Sequence, residues 1–134
     1  MQKFINTIKP FALYLLIATA VFIFTMSSIP SIPTLKIKAG STFIRLDYFI
    51  HFCEYGFLTF MAFLSFAGKN YEISSGKSVL VFLCLLLFAF ADEFHQKIVP
   101  GRTYNVVDFI SNSAGIAGGW VFSVVVFRIM KKSV

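Results

Sequence analysis

Asp92, Glu93, His95 and Gln96 stand together at the end of an apolar run, in the stretch AFADEFHQKIVPGRT that covers residues 89–103. Two carboxylates beside an imidazole can move protons or hold a divalent cation. Arg102, just beyond a proline-glycine turn, offers a planar fork suited to a phosphate or a carboxylate. Upstream, the stretch DYFIHFCEY sets Asp47, His51, Glu54 and Tyr55 at the i, i+4, i+7, i+8 spacing that puts them on one face of a helix. Downstream, Asp108 and Asn112 are one helical turn apart, and their stripe continues into Gly115 and Gly119.

Each of these residues has a plainer reading. Glu54 is either an acid-base group or a helix-binding carboxyl paired with His51. Asp92 and Glu93 suit a proton-transfer or metal pair, a contact to substrate, or an anchor network between helices. No HExxH or comparable spacing fixes a metal, so no metal and no cofactor is expected. Arg102 either binds an anion or forms a salt bridge to Asp92, Glu93 or Asp108. Asp108 fits a helix N-terminus, where the dipole favours an acid. Asn112 lies one turn deeper, placed to bond across helices or to a ligand. The GxxxG spacing of Gly115 and Gly119 permits close helix approach. Cys53 and Cys84 lie in apolar runs without CxxC spacing and read as small packing residues.

The elements that must position these groups are membrane helices. Hydrophobic residues make up 57% of the 134-residue chain and charged residues 13%, about half the share of an ordinary soluble domain. That leaves too little polar surface to coat a soluble globule. The net charge of +6 does not point to nucleic acid, because the basic residues are scattered singly between apolar runs. The pattern predicts one all-α, polytopic domain over 1–134, with four transmembrane helices at about 10–28, 47–68, 77–98 and 105–128. The lipid bilayer is its first partner. A cleaved signal peptide is the rival for the first run, but the run is long for one and no clear A-x-A site follows.

Pro30 and Pro33 are expected to end the first helix, and the stretch from Ser28 to Leu46 to form a loop along the interface. The third run poses a length problem. Between Lys77 and Asp92 a helix covers only ~21 Å of a ~30 Å hydrocarbon core. To span, it must continue to about Ile98, which puts Asp92 and Glu93 below the membrane rim. Asn105 is placed to cap the fourth helix. Basic residues are somewhat more numerous on the side of the termini (Lys3, Lys9, Lys69, Lys77, Arg128, Lys131, Lys132) than on the other (Lys36, Lys38, Arg45, Lys97, Arg102), so both termini are expected in the cytoplasm. A charge inside a span costs at least ~2.5 kcal/mol. The acids are therefore expected to converge on a shared, wet pocket in the outer leaflet, with Arg102, His51 and His95 as partners.

The stretches DYFIHFCEYGFL and ADEFHQKIVPGRTYNVVDFISNSAGIAGG resemble the VanZ-like family of small bacterial membrane proteins, over roughly residues 10–128. Tyr48 stands where that family often has a basic residue. The resemblance implies a multi-pass protein of the bacterial cytoplasmic membrane, associated with glycopeptide resistance, particularly to teicoplanin. On this reading the pocket recognises a lipid-linked cell-wall intermediate or a glycopeptide. Asp47, His51, Tyr55, Asp92, Glu93, Gln96, Arg102, Asp108 and Asn112 would be its contacts. Two alternatives stay open. One is a membrane hydrolase or transferase acting on a lipid or isoprenoid phosphate, with Glu54, His51 or Asp92 as the acid-base group. The other is a structural protein whose polar cluster only packs helices or recruits a partner.

Overall fold

The computed structural model describes residues 2–31, 36–39 and 42–132, the backbone alone at 36–39, 42–44 and 132. Four helices are long and apolar enough to cross a membrane: Gln2–Ser28, Leu46–Phe66, Ser75–Ile98 and Val106–Lys131. The first consists of α1 (Gln2–Ile8), a 3-10 turn at Lys9–Phe11 and α2 (Ala12–Ser28). Pro10 accounts for the tightened turn, since it has no N–H to donate to the ladder. The others are α3 (Leu46–Phe66), α4 (Ser75–His95) with a 3-10 turn at Gln96–Ile98, and α5 (Val106–Lys132).

The helix ends follow local chemistry. At Ile29 the backbone leaves the helix for an extended conformation, as the residue before a proline prefers. Pro33 lies outside the described residues. Ser74 caps α4, its hydroxyl accepting from the Lys77 N–H at 3.4 Å. Asn105 caps α5, its Oδ1 accepting from the Val107 N–H at 3.0 Å. Both caps take up orphan amide donors. Between α4 and α5 the Arg102 N–H returns to the Val99 carbonyl at 3.1 Å, and Gly101 sits at φ 75°. That is the type II pattern, with proline first and glycine second of the central pair.

One segment departs from expectation. Where the sequence suggests a loop between the first two spans, the structure has an antiparallel hairpin of β1 (Lys36–Ala39) and β2 (Thr42–Arg45), in register Lys36 with Arg45 and Ala39 with Thr42. Its Ile, Thr and Phe residues favour pleated backbone. Apart from this hairpin the described chain is all-α.

Packing among the helices is uneven. α3 and α5 share the most extensive contact, α2 lies against α3, and α4 against α5. Small residues bring α3 and α5 together. A methyl group added at Gly115 would strike the backbone carbonyl of Phe52, and one at Gly119 would sit 2.5 Å from the Gly56 carbonyl oxygen. In lipid, where apolar surface gains nothing by leaving its solvent, such backbone approach is a main source of helix affinity. Tyr55, Leu58, Ala62, Leu85, Ala89 and Ile116 fill the centre of the bundle. Phenylalanines such as Phe11, Phe49, Phe66 and Phe122 face outward, as a lipid-solvated surface allows.

Candidate functional site

At the end of the bundle that carries the Pro100-Gly101 turn, neighbouring acids of α4 divide their work. Asp92 and Glu93 are consecutive, so they leave the helix about 100° apart. Asp92 points toward the first two spans. Its Oδ2 accepts from the Ser27 hydroxyl at 2.9 Å and from the Tyr55 hydroxyl at 3.1 Å. All three residues are buried. One carboxylate oxygen thus ties α2, α3 and α4 together.

Glu93 points toward α5. Its Oε1 accepts from the Gln96 amide at 3.3 Å and from the Asn112 amide at 3.2 Å. Glu93 and Asn112 are wholly shielded from solvent and Gln96 almost so. Six further atoms of this cluster are left without partners among the described residues. Asp92 Oδ1, Glu93 Oε2, Asp108 Oδ1, Asn112 Oδ1 and the Nδ1 atoms of His51 and His95 are all buried and unbonded. Native interiors rarely tolerate that many at one place. A nitrogen of His51 and one carboxylate oxygen each from Glu93 and Asp108 lie within 4.8 Å of one another.

Asp47 and Arg45 mark the rim. The Arg45 Nε donates to both Asp47 oxygens, at 3.2 and 2.9 Å, its NH2 makes a further bond, and its guanidinium lies 4.4 Å from the centre of the Tyr48 ring. Hydrogen bonding to the Asp47 carboxylate raises the Arg45 pKa above its ordinary value and fixes the cation in place. The His95 ring packs on Phe24 with centroids 4.7 Å apart.

Arg102 and Glu54 stand apart from this arrangement. Among the described residues Arg102 pairs with none of Asp92, Glu93 or Asp108. It donates instead to the carbonyls of Met26 at 2.8 Å and Ile29 at 3.2 Å, closing the end of α2. Half-buried Glu54 lines a groove of about 460 Å³ with Leu15, Ala18, Thr19, Phe22, Cys53 and Phe57. The helical face predicted for Asp47, His51, Glu54 and Tyr55 therefore serves several neighbours: Arg45, the Glu93 side, the α2 groove and Asp92.

Sequence reasoning passed over two participants. Ser27 sits in the last turn of α2, where a serine reads as a helix end. Arg45 reads as loop charge, although its separation of two residues from an acid was a usable sign. Nor does any local spacing reveal the convergence of His51, Glu93 and Asp108, since each comes from a different helix.

A family model described as VanZ/LLP1 matches residues 11–128 of the chain. No curated protein and no solved structure matches it.

Proposed function

We propose, from the premise that the chain belongs to the VanZ/LLP1 family, that it is a cell-envelope protein that recognises an anionic or amide-rich amphiphile at its polar end. Its termini lie in the cytoplasm and the Pro-Gly turn faces the outer leaflet of a bacterial cytoplasmic membrane. The amphiphile is a lipid-linked cell-wall intermediate or a glycopeptide, and the outcome is reduced susceptibility to teicoplanin. The observation that carries this reading is the cluster of buried, unbonded oxygens on Glu93, Asp92 and Asn112. Polar atoms at such depth are costly unless something bonds to them. Amide donors of a bound head group would meet the free oxygens of Asp92 and Asn112. Arg45 and Lys97, at the same end of the bundle, would draw an anionic partner toward it.

The test is expression in a teicoplanin-susceptible host. Asn112→Ala and Gln96→Ala should lower the inhibitory concentration toward that of the empty host, while protein abundance is held. The exposed Glu72, at the far end of the bundle, supplies the control Glu72→Gln, which should match the parent. A parent that confers no resistance, or variants as resistant as the parent, would reject the reading.

A second reading rests on His51, Glu93 and Asp108. An imidazole and two carboxylates at that spacing also suit acid-base chemistry on a lipid phosphate. Lipid extracts incubated with the purified protein would then show a phosphate released or transferred, detected by mass. Unchanged lipids would leave recognition as the activity.

A further inference from the structure

We propose that His51, Glu93 and Asp108 form a binding site for one divalent transition-metal ion, a site that stands whether the polar end recognises its ligand or reacts with it. Each residue brings one ligand-type atom, and these atoms lie within 4.8 Å of one another. Neighbouring ligands of an ion with bonds of about 2.1 Å stand about 3–3.4 Å apart and opposite ones about 4.2 Å, so side-chain rotations of about an ångström or more close the set.

Glu93 is 0% and Asp108 7% exposed, yet Glu93 Oε2, Asp108 Oδ1 and His51 Nδ1 have no hydrogen-bond partner. Neither acid forms a salt bridge among the described residues, and the basic groups that face Asp108 are Arg45 and His51, itself one of the three. Arg45 is paired with Asp47, and Arg102 is committed to the end of α2. Two carboxylates this close, at membrane depth and without a salt-bridge partner, repel each other and lose hydration together. A divalent ion answers both problems at once.

Gln96 and Asn112 both donate to Glu93 Oε1, which holds the carboxylate and leaves Oε2 for the ion. Metal ligands are commonly held by such outer hydrogen bonds. A set of one imidazole and two carboxylates favours Zn²⁺ or Mn²⁺ over Ca²⁺, which takes six to eight oxygens. The ion would complete its shell with water or with an oxygen of the bound molecule.

The experiment is equilibrium dialysis of the full-length protein in detergent, stripped with chelator and then exposed to Mn²⁺ or Zn²⁺ alone, with metal counted per chain. The expected result is one ion per chain and a rise in melting temperature with metal. Affinity should fall at least about tenfold in Glu93→Gln and in Asp108→Asn, with no change in Glu72→Gln. If either variant fails to fold, His51→Gln and the wild-type count decide. Wild-type protein that takes up no metal overturns the proposal. Uptake that survives in all three site variants identifies an adventitious surface site and overturns it equally. Variants that lose nothing in metal binding but melt higher than the parent would show a carboxyl pair sharing a proton, which also rejects the site.

Discussion

The two ends of the bundle handle polar groups in opposite ways. At the end where the chain's termini lie, charges stay at the surface. Lys131 reaches Glu72 at 3.0 Å with both side chains largely exposed. Lys9 donates to the Gly68 carbonyl and lies over the Tyr71 ring, and the Tyr71 hydroxyl donates to Asn6. Beneath these contacts the core is apolar, with Ile5, Phe63, Leu64, Phe127 and Met130. Burial alone raises the Tyr71 pKa, and its hydroxyl still has a partner. At the Pro-Gly end the acids go inside, and part of their bonding capacity is left unused. A chain selected for stability alone would resemble the first end throughout. The second accepts a cost of several buried orphan atoms, which is how sites for something else are built.

The polar end depends on α3 and α5 staying locked, because His51 and Asp108 belong to those two helices. Breaking that lock should have the largest effect. Gly115→Leu would force a side chain into the Phe52 backbone. It should destabilise the bundle by about 3 kcal/mol or more, read as lost monodispersity and a lower melting temperature in detergent. An unchanged melting temperature would mean that the close approach does not hold the polar end together.

A smaller effect tests whether Asp92 is structural, as its bonds suggest. Asp92→Ala leaves the hydroxyls of Ser27 and Tyr55 without their acceptor and should cost about 1–2 kcal/mol. Ser27→Ala should cost less than Asp92→Ala, since it removes one of the two donors. A stability gain in Asp92→Ala would place Asp92 with Glu93, among groups held against their own stability.

The smallest effect belongs to the other end. Glu72→Gln removes an exposed ion pair and should move stability by less than about 0.5 kcal/mol, within the scatter of repeated melts. A large shift there would erase the contrast between the ends.

Much of this was legible in the chain. Length and hydropathy of the four runs set the spans, since ~30 Å of hydrocarbon demands about 20 apolar residues whatever the fold. The shortness of the third run before Asp92 already required acids below the rim, and the structure carries that helix to Ile98. Asn105 as a cap and Gly101 in the turn follow from local stereochemistry. The hairpin was less visible, because two short strands between spans leave only a weak periodic signal.

Chain length, hydropathy and the cost of membrane-depth charge were enough to place most of the polar residues toward the Pro-Gly end, although Glu54 turns to the α2 groove instead. The pairings themselves came from tertiary packing: Ser27 and Tyr55 at Asp92, Asn112 at Glu93, Arg102 at the carbonyls of α2, and His51 beside Asp108. Those pairings depend on how each helix is rotated and how closely its neighbour approaches. Both are set by contacts such as Gly115 against Phe52 between helices far apart in the chain, and no local spacing encodes them.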